Sequence, residues 1–420
     1  MPDCNTICNV PFGFIEIFPD GNVYTCCPAY IKNGCIGNIF KEPFENIINS
    51  EKAIEIRTNA LNKNYFMCNL DLCSPNTTPF SYQLKTRECF VDYKEKINKV
   101  NIIKFSYDTD CNIRCKICRD NFIRNSKERI EELDLIAEKY FLPILKYTDK
   151  VCFSGTGDPL ASRHTRNFIK LISKEYPNIK FDLHTNGLLL NKNMLEELNI
   201  IDRISIVQIS IHASNKNIYN KIVEDGNFDV VMENIYYLQN LKLNGKLEEI
   251  HLNFVVTKDN IDNAEEFLIL SEKLGVECFF WTMRDFGTSY SNDNNIVDDY
   301  KIYTIFSKDI FKYKKCHFNP YIYNIVYGRK FIDKYLLDKI DLLLCENKIL
   351  YDKIEYLVNQ NELNIKNINK IVNTLSWWIP IKKLRDNFRN KFKIEDQTRP
   401  DQTRPDQTRP DQTRPDQTMN

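Results

Sequence analysis

Three cysteines, Cys111, Cys115 and Cys118, stand within the run CNIRCKIC. Thiolates are soft ligands that suit iron–sulfur clusters and zinc. Four of them would saturate a cubane cluster or a structural zinc. Three, with no fourth Cys or His close by, leave one metal position open, and an open position is where chemistry can take place. The triplet directly follows the β-rich run NIIKFSY (101–107), so it is expected in a loop at the end of a strand.

The chain has fifteen cysteines, and they are unevenly spread. Cys4, Cys8, Cys26, Cys27, Cys35, Cys68, Cys73 and Cys89 all precede residue 90, whereas Cys152, Cys278, Cys316 and Cys345 are scattered singly. The single ones read as ordinary buried thiols and the clustered ones as metal ligands. The opening MPDCNTICNV lacks the basic and apolar regions of a secretory signal, and no apolar run approaches a membrane-spanning length. A cytoplasmic protein is expected, where a reducing milieu disfavours disulfides. Lys and Arg number 57, as do Asp and Glu, so no global field recruits nucleic acid.

The elements that must position the triplet are legible as an alternation. Strand candidates are NIIKFSY (101–107), VCFS (151–154), IKFDLHT (179–185), SIVQISI (205–211), EIHLNFVV (249–256) and ECFFWT (277–282). Amphipathic helical patterns lie between them at 126–145, 163–176 and 263–274. Six β–α units with apolar strands imply an α/β fold with a parallel sheet, open or closed into a barrel. Ligands gather at the C-terminal ends of such strands. The triplet falls at the first of these ends, SGTGDP (154–159) at the second, HTNG (184–187) at the third and SIHAS (210–214) at the fourth. Four polar or glycine-containing turns thus converge on one rim.

The first 95 residues differ. FGFIEIF (12–18), the turn PDGN and VYTCC (23–27) read as a β-hairpin, followed by a helical patch near 43–60 and by CNLDLC (68–73). So small a segment buries little core, and a metal staple is expected. After about 290 the chain is Lys-, Asn- and Tyr-rich with helical periodicity. In SWWIPIKKLRDNFRNKF (376–392), Ile381, Leu384, Phe388 and Phe392 share a helical face amid Lys and Arg. Such a helix either docks on its own protein or meets an anionic membrane surface. The DQTRP repeat (396–418) has almost no apolar content and is expected to be disordered. The resulting division is 1–95, 96–290, 291–395 and 396–420.

CNIRCKIC resembles the signature of radical S-adenosylmethionine (radical SAM) enzymes, in which three cysteines hold a 4Fe–4S cluster and S-adenosylmethionine chelates the fourth iron. The resemblance implies a partial (β/α)6 TIM-type barrel over about 100–285, cofactor cleavage to a 5′-deoxyadenosyl radical, and hydrogen abstraction from a substrate. Ile117 stands where an aromatic residue usually packs near the adenine. Gly155, Thr156, Gly157 and Asp158 stand where Gly-Gly-Glu commonly binds the methionine amino group. Asn186 and Ser210 fall at cofactor-contacting positions, and Val256 where backbone contacts to adenine are usual. His212 occupies a place often held by Asp. An external electron donor such as flavodoxin or ferredoxin is implied.

Cys8, Gly21 and Cys26, with PDGNVYTCCP, are similar to the opening of a SPASM domain, an auxiliary-cluster module that usually follows the barrel rather than preceding it. This implies Cys8, Cys26, Cys68 and Cys73 as ligands of one auxiliary 4Fe–4S cluster, with Cys4, Cys27, Cys35 and Cys89 spare; a structural zinc on the same four thiolates is the alternative. His184, His251, Trp281, Arg284 and Asp285 lie on or after strands facing a possible cavity, and Arg284 and Asp285 are candidate substrate contacts. Relatives with this module modify peptides, protein side chains, sugars or aminocyclitols. The basic Trp-Trp segment resembles C-terminal segments of some surface-glycan glycosyltransferases, which favours a sugar or glycan precursor over a peptide. A non-catalytic metal-binding scaffold is the reading from another class.

Overall fold

The computed structural model describes residues 7–69, 94–154, 157–283, 288–292, 295–306, 316–318, 322, 373, 374 and 386. Cys4, Cys73, Cys89, Cys345, Gly155, Thr156, Arg284, Asp285, nearly all of 376–392 and the DQTRP tail lie outside the described residues. Residues 1–334 form one compact unit, to which all the described strands belong.

These strands are β1 (Phe14–Ile17), β2 (Asn22–Tyr24), β3 (Cys35–Asn38), β4 (Val100–Phe105), β5 (Arg114–Cys115) and β6 (Thr148–Phe153). They continue with β7 (Lys180–Thr185), β8 (Ile204–Ser210), β9 (Val223–Glu224), β10 (Glu249–Val256), β11 (Glu277–Thr282) and β12 (Cys316–Phe318). Ten of them form one sheet in the order β12-β11-β10-β8-β7-β6-β4-β1-β2-β3. Every neighbour from β12 to β1 is parallel, and β1-β2-β3 is an antiparallel meander. The six expected strands are thus the centre of a partial TIM-type barrel. Their residues are buried on both faces, as in Ile204–Ile209 of β8, because helices cover the outside.

The covering helices begin where the sequence caps them. Ser162 accepts from the Thr165 amide at the start of the helix Arg163–Glu175, and Phe168 from that helix packs against Phe105 and Phe153 at ring distances of 5.5 and 5.9 Å. The pattern at 126–145 predicts a single helix, but the α-helix stops at Ile136. A widened turn (Ala137–Phe141) and a 3₁₀ segment (Leu142–Tyr147) follow. Pro143 has no N–H to continue the ladder.

Two features extend the expected sheet. β1 pairs in parallel with β4, Phe14 opposite Ile102 and Glu16 opposite Lys104, so the small N-terminal hairpin shares the barrel's sheet and draws on its core. β12 adds a strand beyond β11, in a region whose periodicity is helical; three residues are too few to alternate visibly. Phe318 is held there by packing on Phe280 and Phe306 at 5.6 and 5.1 Å.

On the outer side, Tyr107 beyond β4 meets His164 Nε2 at 2.5 Å, and His164 Nδ1 meets Asp134 at 2.5 Å. Burial holds the Tyr107 hydroxyl well above its usual pKa, so it donates to His164, whose Nδ1–H donates to Asp134. Tyr107→Phe leaves a buried imidazole nitrogen unpaired and is expected to cost about 1–3 kcal/mol in denaturant unfolding.

Candidate cofactor site at the strand ends

The triplet loop is fixed at both flanks. β5 pairs antiparallel with β9, placing Cys115 opposite Val223, and the Lys116 amide donates to Ile222 O at 2.9 Å. Arg114 pairs with Glu224 and donates to Asp120 O at 2.8 Å. Cys111 donates its amide to Ile123 O at 3.2 Å, and Cys118 donates to Cys115 O at 2.9 Å. Between these anchors all three cysteines line one cavity. Burial pushes the Cys115 thiol far up, and Cys118 and Cys111 push it further. Burial also raises Cys111, with Asp158 and Cys118 adding to the shift. Burial thus holds Cys111 and Cys115 as neutral thiols until a bound metal group draws off their protons. Among the described residues no three Cys, His, Asp or Glu groups close into a tight metal cage; the thiols instead rim an open hollow suited to something larger than one ion.

The other turns complete the wall. Gly157 sits where a Cβ would lie 2.5 Å from Asp110 O and 2.7 Å from Asp108 O, so only glycine lets the second turn close on the triplet loop. Asp158 also lines the cavity, but its carboxylate is fully engaged. Oδ1 accepts from the Leu160 and Ala161 amides at 3.0 and 3.1 Å, and Oδ2 accepts from Thr185 Oγ1 and the Asn186 amide, both at 2.7 Å. A carboxylate offers about four acceptor sites. Asp158 is thus a joint that locks the second turn to the third. Asn186 reaches from this joint to Asn112 at 2.7 Å and towards Cys111 Sγ at 3.9 Å.

Ile117, Ser210 and His184 line the cavity as well. Val256 ends β10, buried and outside the wall; the neighbouring Val255 amide donates to His212 Nδ1 at 3.1 Å. His212 holds a left-handed φ of 58° and its ring lines the cavity. Burial lowers its pKa to about 4, so it is neutral, with Nδ1 accepting and Nε2–H left to donate. The unfolded state takes up this proton near pH 6.5 and the folded state only near 4, so the unfolded state holds more protons in between. The His212 contribution is complete above pH 6.5 and falls by up to about 3 kcal/mol as pH drops towards 4. His212→Asn tolerates the same φ and should flatten that part of the unfolding-midpoint profile.

The upstream thiols gather around the first hairpin. Cys8 and Cys26 pack against Val10, Phe14, Ile102 and Cys152, and Cys8 and Cys68 against Phe12, Ala60 and Tyr65. Tyr65 ties two of them, accepting from the Cys8 amide through its hydroxyl at 3.0 Å and from the Cys68 amide through its carbonyl at 2.9 Å. Cys35 donates to Gly37 O at 3.5 Å.

Two family models match the chain. The radical SAM superfamily covers residues 108–271, and the SPASM iron–sulfur cluster-binding domain covers residues 8–74. This is a radical SAM protein with a SPASM domain ahead of the barrel. The FeMo cofactor biosynthesis protein NifB of Methanocaldococcus jannaschii is 32% identical over 157 residues, which is 34% of this chain and 50% of that protein. A probable GTP 3′,8-cyclase of Saccharolobus solfataricus is 30% identical over 174 residues, 40% of this chain and 51% of that protein. The chain thus spans about half the length of these relatives. Streptococcus suis SuiB bound to S-adenosylmethionine superposes with a TM-score of 0.39 at 16% identity, covering 65% of this chain and 62% of that one.

A radical SAM domain binds a 4Fe–4S cluster and S-adenosylmethionine, and a SPASM domain binds auxiliary iron–sulfur clusters. The donor chemistry here fits both groups: three soft thiols on an open hollow, and Cys8, Cys26 and Cys68 on two apolar clusters that share Cys8. Ser154 and Thr185, within the turns SGTGDP and HTNG, stand in the cavity wall, and so do Arg119 and Asn253, which sequence reasoning missed. Asn253 had a signal: it stands two residues after His251, a polar repeat inside an apolar strand. Arg119 had none, since its placement depends on donating to Thr109 O at 2.9 Å across the loop. Trp281 meets the wall indirectly, donating to Asn253 Oδ1 at 3.3 Å, and His251 lies deeper, against Glu249 at 2.6 Å. Among the described residues no helix is long and apolar enough to cross a membrane.

Proposed function

We propose that this protein is a radical SAM oxidoreductase acting on a sugar or glycan precursor, with Cys111, Cys115 and Cys118 holding the core cluster and Cys8, Cys26, Cys68 and Cys73 the auxiliary one. The observation that carries the reading is the meeting of three thiols with the second, third and fourth strand-end turns around one cavity. When bound, the cluster and S-adenosylmethionine supply a low-potential electron and a 5′-deoxyadenosyl radical that takes hydrogen from carbon. The chain's own residues then orient and shield. Asn186, Ser210 and His212 offer amide, hydroxyl and imidazole N–H groups to the polar parts of the cofactor, and Ile117 offers an apolar surface to its base. A flavodoxin- or ferredoxin-like protein would supply the electron, and an auxiliary cluster held by Cys8, Cys26, Cys68 and Cys73 would supply an electron acceptor for net oxidation, an electron relay or a hold on the substrate. The basic Trp-Trp segment 376–392 supports a lipid-linked glycan substrate and a peripheral membrane contact.

Anaerobic reconstitution tests this reading. About eight irons per chain are expected for two cubanes, and the reduced protein should release 5′-deoxyadenosine from S-adenosylmethionine. A chain that takes up zinc instead and releases none would be a metal-binding scaffold, and the enzyme reading would be wrong.

A further inference from the structure

Arg119 follows the last cysteine of the triplet and lies in the cavity wall, 8% exposed. Its amide donates to Cys115 O at 3.1 Å, which closes the turn that carries Cys118. The side chain folds back over that turn. Nη1 donates to Thr109 O at 2.9 Å, and Nη2 points at Cys118 Sγ at 3.7 Å. The planar fork is thus fixed by a carbonyl on one side and turned towards a sulfur on the other.

A buried guanidinium keeps its charge and ordinarily meets a carboxylate. Among the described residues no carboxylate pairs with Arg119. The acidic groups near it in sequence are engaged elsewhere: Asp110 with Arg124 at 3.0 Å, Asp108 with Ser162, Thr165 and Asn125, and Asp120 with Ser289. Asp158 is taken up by its four donors. His184 and His212 are neutral, because burial holds both below their usual pKa. Arg119 is therefore the one cation among the described wall residues, and Asp158 the one carboxylate. The two act at different ends of the triplet. Asp158 outweighs Arg119 at Cys111, whereas Arg119 outweighs Asp158 at Cys115 and its N–H reaches Cys118.

We propose that Arg119 sets the reduction potential of the core cluster, its charge and N–H at Cys118 raising that potential towards the reach of the external donor. This rests on the assignment of Cys111, Cys115 and Cys118 to the core cluster and adds the residue that governs its electron uptake. One electron passes from the flavodoxin- or ferredoxin-like donor to the cluster, and no bond forms or breaks. The site, already anionic through three thiolates, gains a further negative charge that spreads onto its sulfurs. A desolvated cation beside one sulfur stabilises this reduced form more than the oxidised one, and hydrogen bonds to sulfur act in the same sense. A buried charge without a counter-ion is costly to the empty protein, and an anionic cluster offsets that cost.

The test is a potentiometric titration followed by electron paramagnetic resonance on the anaerobically reconstituted full chain. The core signal is the one that S-adenosylmethionine alters, and the auxiliary signal is the internal control. Arg119→Gln should keep about eight irons per chain. At a fixed donor potential its ratio of reduced to oxidised core cluster should fall about ten-fold, a midpoint lower by about 59 mV. The auxiliary midpoint should not move. Arg119→Lys, which keeps the charge, should recover most of the shift, and Arg119→Met gives the same neutral comparison if Arg119→Gln does not fold. An unchanged core midpoint, or an equal shift in the lysine and neutral variants, would overturn the proposal. So would weaker cofactor binding at an unchanged midpoint, which would place the guanidinium on S-adenosylmethionine instead. Loss of the core iron from both neutral variants would make Arg119 an anchor of the loop, with the same result. A parent chain with no signal that S-adenosylmethionine alters would overturn the core-site reading itself.

Discussion

Cys115→Ala is expected to lower the iron content of the reconstituted protein from about eight per chain to about four and to reduce release of 5′-deoxyadenosine to background. Cys115 sits between the other two thiols electrostatically, since both Cys118 and Cys111 raise its pKa beyond what burial does. Its removal leaves two thiolates and too few bonds to retain a cubane. The cluster-free protein should lose little stability, because Cys115 is only half-buried, so a loss of iron without unfolding is the informative outcome. Cys8→Ala separates the two metal sites: four irons again, but with cofactor cleavage retained at the core cluster. Cys152→Ala, by contrast, deletes a thiol that packs with Val10, Phe14 and Ile102 and should leave the iron unchanged. If Cys115→Ala still carried eight irons, Cys115 would not be a ligand.

The chemistry of the rim was legible because it is local. CNIRCKIC and the turns SGTGDP, HTNG and SIHAS announce themselves by composition, and the parallel-sheet argument brings them to one edge without any knowledge of contacts. The alternation of strands was legible for the same reason: apolar strands buried on both faces stand out from amphipathic helices. What the sequence could not convey depends on pairing across distance. That β1 lies beside β4 is fixed by aligned partners almost ninety positions apart, such as Glu16 and Lys104. A hairpin read by itself gives no hint that its glutamate enters the barrel's inner layer. β12 escaped because three residues carry no period. Asp158 shows a third limit, for its residue type gives no hint of the four donors, from two different turns, that make it a joint.

That joint has the second large expected effect. Asp158→Asn keeps the side chain's shape but replaces one oxygen by an NH₂ group. Whichever way the amide turns, it faces a pair of donors, either the Leu160 and Ala161 amides or Thr185 and the Asn186 amide. Burial raises the Asp158 pKa and these four donors oppose that shift, which is the signature of an anion held by hydrogen bonds rather than by a counter-charge. Losing charge-assisted bonds to buried donors is expected to cost about 3–5 kcal/mol in unfolding free energy. The damage should also travel to the rim. The Asn186 amide loses its acceptor, and the Asn186 side chain that reaches Asn112 and Cys111 loses its anchor. Weaker S-adenosylmethionine binding is therefore expected even at a temperature where the variant stays folded and keeps its iron. Asn186→Ala should reproduce the weaker binding with a smaller loss of stability, because it leaves all four Asp158 bonds in place. If Asp158→Asn instead bound the cofactor normally and unfolded like the parent protein, the carboxylate would not be the joint between the two turns.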